Sequence, residues 1–144
     1  MPSDGVAARR ALAEIATLEA TLAETRARVL NLESARQVDL AAAAYRERRI
    51  RDACFGEDSD LFGEPVWDML LDLYSARMRG VPVSVSSACI AAHVPNTTAL
   101  RYIAILETRG LVSRRRDDAD ARRVFVEISD RAMAQVRAWL ERST

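Results

Sequence analysis

The chain has 144 residues, with 21 basic and 21 acidic side chains and a formal net charge of zero, so attraction for a polyanion can come only from where the charges sit. That length suits one domain with a real core, or a core of about 80 to 90 residues plus an extension, and argues against a second independent core. No stretch approaches the ~18 to 20 consecutive apolar residues of a membrane span and the start lacks the order of a secretory signal, so a cytoplasmic protein with no membrane partner is expected.

Every basic residue is arginine, the better bidentate partner for phosphate and guanine, although genome base composition is a sufficient cause. Cys54, Cys89 and His93 are too few for a zinc site without carboxylates, and no paired-cysteine spacing occurs. No metal and no cofactor are therefore expected. The absence of a phosphate loop, a metal cluster or a catalytic-triad spacing argues against an enzyme.

Residues 1–54 are rich in alanine, leucine, arginine and glutamate, and 6–50 contain neither proline nor glycine, which predicts one long helix. Ile15, Leu18, Leu22, Thr25, Val29 and Leu32 recur at spacings of three and four, the a and d positions of about three heptads. Arg28 and Glu33 could pair across a parallel seam, whereas Glu14 and Glu19 would repel there, so the register leaves the strand orientation open. The stripe then weakens into "AAAAYRERRIRDA". Packing on its own domain is the alternative to pairing with a second copy, and pairing is the favoured reading. Residues 55–63, "FGEDSDLFG", break the periodicity and read as a connector to a domain over 64–144.

In "EPVWDMLLDLYSARMRG" Pro65 suits a first helical turn, Val66, Met69, Leu70, Leu73 and Tyr74 trace one buried face, and Gly80 marks the stop. Ser84 is placed to cap a helix whose apolar side is Val85, Ala88, Cys89 and Ala92. A third helix starts with Asn96 or Thr97 as cap, buries Ala99, Tyr102 or Ile103, and Leu106, and ends at Gly110. The two form a helix-turn-helix. "LVSRRR" and "RVFVEIS" alternate around "DDADA" as an antiparallel hairpin, and Ser129 caps a last helix striped by Met133, Val136, Trp139 and Leu140. Helix, helix-turn-helix, charged hairpin and helix make a winged helix: mainly α, with an α+β wing, preceded by a long N-terminal dimerisation helix.

From about Leu61 onward the chain resembles the MarR family of bacterial transcription regulators. "TTALRYIAILETRGLVSRRRDDADARRVFVEIS" carries the resemblance. Thr98 and Arg101 match the early recognition-helix residues, Leu106 to Val112 match the Leu-Glu-x-x-Gly-Leu-Val exit, and Asp117, Asp120 and Arg122 match the wing motif. Ala121 stands where that wing usually has glycine, and His93 where the helix-turn-helix turn commonly has one. The resemblance implies a homodimer on double-stranded DNA, with Asp120, together with Asp117, as a scaffold orienting the wing arginine. Family dimers pair helices from both chain ends, which adds Trp139 and Leu140 to Ile15, Leu18, Leu22, Val29 and Leu32 as dimerisation residues. Family members often release DNA when a small aromatic molecule or an oxidant acts near that interface, but no residue here identifies an effector pocket.

A hairpin beside a recognition helix reaches the minor groove, where a guanidinium is attracted by the strong negative potential. Arg122 at the tip is the first candidate, with Arg114, Arg116 and Arg123 beside it. Arg114, Arg115, Arg116 and Arg123 alternate along the hairpin, so only some of them can face DNA, and the rest are expected to pair with Asp117, Asp118 or Asp120. Asn96, Thr97, Thr98 and Arg101 sit where major-groove readers place base and phosphate contacts. Arg101 could grip guanine or a phosphate, and Thr98 could be partly buried. Leu100 and Ile105 are apolar for a DNA-facing surface, and Ile105 is expected in the core. Cys54, preceded by Arg48, Arg49 and Arg51, is the better candidate for a redox sensor, while Cys89 is expected in the core. The expected function is sequence-specific transcription regulation by a homodimer. The rival is a winged-helix protein-interaction module that docks through its N-terminal helix without binding DNA.

Overall fold

The structure, a computed structural model, describes residues 3–143; Met1, Pro2 and Thr144, at the limits of the expected segments 1–54 and 64–144, lie outside the described residues. Its helices are α1 (Ser3–Phe55), α2 (Pro65–Met78), α3 (Val85–Ala91), α4 (Asn96–Thr108) and α5 (Asp130–Arg142). Its strands are β1 (Val83–Ser84), β2 (Val112–Arg116) and β3 (Val124–Ile128). The chain divides into two units, one ending at Arg36 and one starting at Gln37.

The first unit is the N-terminal part of α1. Its threonines turn inward on the backbone, the hydroxyls of Thr17, Thr21 and Thr25 donating to the carbonyls of Ala13, Thr17 and Thr21 at 3.0, 3.0 and 2.9 Å. Its large apolar side chains all face outward, from Ile15, half exposed, to Leu32 at 72%.

The second unit begins earlier than the expected boundary because alanines let α1 approach closely. Ala41 and Gln37 are fully buried; the Tyr74 hydroxyl donates to Gln37 Oε1 at 3.2 Å, and that of Tyr45 donates to the Ala91 carbonyl at 3.0 Å. The expected connector is itself ordered. Gly56–Phe62 forms a 3-10 helix after Gly56 turns the chain at φ +53°, and the Phe55 and Phe62 rings meet at 4.4 Å.

The expected caps hold at two helices: Ser84 Oγ accepts the Ser87 N–H and Ser129 Oγ accepts the Ala132 N–H, each at 3.1 Å. Neither Asn96 nor Thr97 caps α4. Pro95 occupies the cap position with no side-chain bond, and its carbonyl starts the ladder by accepting the Ala99 N–H at 3.0 Å. Gly80 and Gly110 end α2 and α4 at φ +69°, where a side chain would be strained. His93 takes φ +55° in the helix-turn-helix turn, the conformation for which glycine is usual there.

The sheet order is β1-β3-β2, antiparallel throughout, with Val83 opposite Val126 and Val112 opposite Ile128. β1, two residues long, is below what alternation can reveal. Met69, Leu71, Tyr74, Ala88, Ala99 and Ile103 form the fully buried centre, ringed by Leu106, Val126, Ile128 and Val136. Leu71, absent from the expected face of α2, is there because both sides of that helix are covered. Ile105 is 42% exposed, contrary to expectation, since one helical face already seats Ala99, Ile103 and Leu106. Leu140, expected at the dimer surface, belongs instead to its own core at 2% exposure; Trp139, 44% exposed, packs edge-on against Trp67 at 4.8 Å.

Among the described residues of this unit one carboxylate is buried. Asp68 is 1% exposed and is bridged by Arg48 Nε on one oxygen and Arg49 Nη2 on the other. Arg48 also pairs with Glu64, and Arg49 with Asp52 at 3.0 Å. Two guanidinium partners offset the desolvation that a lone buried carboxylate could not survive.

Candidate nucleic-acid interface

α4 offers its outer side as one surface. Asn96, Thr97 and Arg101 are exposed and Thr98 is half-buried, as its position next to the buried Ala99 dictates. Arg101 has no ion-pair partner among the described residues. Beyond it a shallow depression of about 250 Å3 is lined by Arg101, Ala104, Ile105, Thr108 and Arg109. Leu100 and Ile105, 37% and 42% exposed, make this side partly apolar, suited to van der Waals contact with a thymine methyl.

The wing is sorted by strand register. Arg114 lies opposite Val126 and Arg116 opposite Val124, while Arg115 lies opposite Phe125. Opposite residues share a face, so Arg114 and Arg116 lie on one side and Arg115 on the other. Arg115 is engaged there: its Nε donates to Glu127 Oε1 at 2.6 Å and its guanidinium sits 5.1 Å from the Phe125 ring centre. Arg114 Nε donates to Glu107 Oε2 at 2.7 Å, which ties the wing to α4. The expected pairing with Asp117, Asp118 or Asp120 is therefore replaced by pairing with Glu107 and Glu127. Cross-strand and cross-turn neighbours are nearer than the aspartates at the tip, and those are occupied by the backbone.

At the tip, Asp117 Oδ1 accepts the Ala119 N–H at 2.9 Å and Asp120 Oδ1 accepts the Arg122 N–H at 3.0 Å. The Arg123 N–H donates to the Asp120 carbonyl, and the Asp117 N–H to the Arg123 carbonyl, both at 3.0 Å. Ala121 does not need the positive φ that its usual glycine would allow, because His93 is the one non-glycine residue with positive φ among those described. The turn is closed by aspartate side chains instead.

Arg116, Arg122 and Arg123 have no ion-pair partner among the described residues. Arg114, Arg122 and Arg123 meet Ser84, Val85 and Ser86 across a groove of about 640 Å3, with Asp120 and Val124 completing the lining. Arg116 and the α4 residues lie outside that groove. The serines at the start of α3 escaped the sequence reading as site residues because their capping role accounted for them. Glu107 escaped because it meets Arg114 only across the Gly110 turn. No group of three His, Cys, Asp or Glu side chains among the described residues is arranged for a metal ion, and no described helix is long and apolar enough to cross a membrane.

No family model and no curated protein matches the chain. Solved structures do. S. aureus MepR in its DNA-binding conformation matches with 18% identity and a TM-score of 0.50, over 69% of this chain and 74% of that one. A MepR mutant from a multidrug-resistant S. aureus clinical isolate matches with 22% identity and a TM-score of 0.44, over 48% and 49%. The transcriptional regulator BldR from Sulfolobus solfataricus matches with 25% identity and a TM-score of 0.42, over 50% of each chain. The chain spans about half the length of the latter two. The likeness to MepR shows that this chain has the winged helix-turn-helix fold.

Proposed function

We propose that the protein is a sequence-specific transcription regulator that binds double-stranded DNA as a homodimer, with α4 in the major groove and the arginines of the wing in the adjacent minor groove. The observation that carries the reading is the set of arginines left without acidic partners on one fold element pair: Arg101 on α4, and Arg116, Arg122 and Arg123 on the wing. In a chain of zero net charge, leaving these cations uncompensated beside a helix-turn-helix makes a local anion-attracting surface. The fold shared with a regulator solved in its DNA-binding conformation is consistent with it. Asp117 and Asp120 serve the wing as scaffold, since their carboxylates accept the backbone N–H groups of Ala119 and of Arg122 itself. Two-fold pairing would set two recognition helices on successive major grooves of a near-palindromic site.

Binding to genomic DNA fragments across a salt series tests this. The expected result is a steep fall of log K with log salt, reporting several phosphates neutralised per dimer. Arg101→Ala costs about 1 to 3 kcal/mol and relaxes preference at one base pair if it grips guanine, or weakens all sequences alike if it grips phosphate. A flat salt response, or no binding at low salt, overturns the reading in favour of a protein-interaction module.

A further inference from the structure

The first unit exposes a seam without a partner. Ile15, Leu18, Leu22, Val29 and Leu32 are all between 50% and 72% exposed and, with Thr25, occupy successive a and d positions of a heptad. Such a stripe fits another like itself, and the flanking charges distinguish the two ways a second copy can lie on it. With Ile15, Leu22 and Val29 at a, the g positions are Glu14, Thr21 and Arg28 and the e positions are Glu19, Arg26 and Glu33.

In a parallel pair each g residue faces the e residue five places on. Glu14 then meets the partner's Glu19 twice, cancelling the two contacts of Arg28 with the partner's Glu33. The next a position also brings Arg36 against the partner's Arg36. In an antiparallel pair a layers face d layers and e flanks e. Ile15 then lies opposite the partner's Leu32, Leu18 opposite the partner's Val29 and Leu22 opposite the partner's Thr25. Glu19 flanks the partner's Arg26, twice by symmetry, Glu14 faces the partner's Ala35, Thr21 faces the partner's Arg28, and Arg36 faces the partner's Ala11. The two Arg28–Glu33 attractions are exchanged for two between Glu19 and Arg26, and every repulsion is gone.

The pairing within one chain points the same way. Glu14 is held by Arg10 and Glu33 by Arg36, each at 3.3 Å. Glu19 and Arg26 have no ion-pair partner among the described residues. Arg28 likewise has no ion-pair partner among the described residues and donates only to the Thr25 hydroxyl, at 3.3 Å, but its parallel partner Glu33 is already held by Arg36, whereas the antiparallel register joins Glu19 and Arg26. We infer that residues 15–32 form an antiparallel coiled coil with a second copy of this chain, its centre between Leu22 and Thr25, with Glu19 and Arg26 selecting the orientation. This rests on the homodimer reading above and adds the orientation and register to it.

Disulfide trapping in the full chain tests it, in a Cys54→Ser background with Cys89 left in its core. Ile15→Cys and Leu32→Cys chains, mixed and mildly oxidised, should give a covalent heterodimer, because facing layers come within disulfide reach. Neither variant alone should cross-link, since its two thiols would lie about 25 Å apart along the helix axis. A bridge in Ile15→Cys alone overturns the proposal in favour of the parallel pair. No bridge in any combination, while sedimentation still reports a dimer, overturns the seam. A monomeric unsubstituted chain overturns the homodimer reading itself. Charge reversal gives an independent sign: Glu19→Arg should raise the dimer Kd about tenfold and added Arg26→Glu should restore it. Tightening by Glu19→Arg alone means that the introduced arginine faces the partner's Glu14, and the parallel pair is then correct.

Discussion

Leu18 and Leu32 of the first unit are 69% and 72% exposed, whereas Met69, Leu71 and Ile103 of the second have no exposed surface. Both units contain helices with apolar residues at three- and four-residue spacing, so periodicity alone does not say whether a stripe is buried by its own chain. The difference lies between the large residues. The part of α1 that joins the second unit carries alanines, with Ala41 fully buried, and small side chains let another helix approach to packing distance. The first unit has Leu18, Leu22, Val29 and Leu32 at regular a and d positions and leaves all four exposed, the stripe to which the proposed pairing assigns a second copy.

The largest expected effect comes from the charge that the second unit buries. Asp68→Ala leaves Arg48 and Arg49 without their shared carboxylate and should cost about 3 to 5 kcal/mol in urea unfolding. Association through the first unit should be untouched in any fraction that stays folded. An unchanged midpoint would mean that Glu64 and Asp52 already neutralise the two guanidiniums.

A smaller free-energy change, confined to association, is expected from Leu18→Asp combined with Leu22→Asp. Desolvating these carboxylates at a seam should weaken the dimer by at least about a hundredfold, read by light scattering, while the urea midpoint of the second unit stays where it was. A dimer of full operator affinity after that change would break the comparison, because the stripe would then have no partner to lose.

The smallest perturbation sharpens the same contrast within the second unit. Cys54 is exposed and Cys89 is 4% exposed, and burial pushes the Cys89 thiol up. With less thiolate and less access, Cys89 should react with a thiol reagent at pH 8 roughly a hundredfold more slowly than Cys54. Equal rates would show that the core around Ala88 and Ala92 opens readily.

Much of the second unit was legible because its signals are local. Ser84 and Ser129 cap by reaching three residues ahead, Gly80 and Gly110 end helices through a backbone conformation that suits glycine, and the hairpin declares itself by alternation. Within the candidate site, the exposed Asn96, Thr97 and Arg101 follow from the buried set of Ala99, Ile103 and Leu106 on the other side of α4. The errors fell where two elements compete for one residue. Ile105 and Leu140 are both apolar and both at plausible core spacing, yet one is exposed and the other buried. Arg114 and Arg115 chose Glu107 and Glu127 over the nearer-in-sequence aspartates.

By itself the sequence determined the α-helices and where the hairpin turns, because capping, helix termination and periodicity act over a few residues. Tertiary structure alone decided that α1 is shared between two units at Gln37, that β1 adds an edge strand to the hairpin, and that Arg122 and Arg123 stay without acidic partners while Arg114 and Arg115 do not. Those outcomes depend on distances between residues far apart in the chain. Burial and ion pairing are settled by which neighbours the folded chain brings to contact distance, and no local pattern encodes that arrangement.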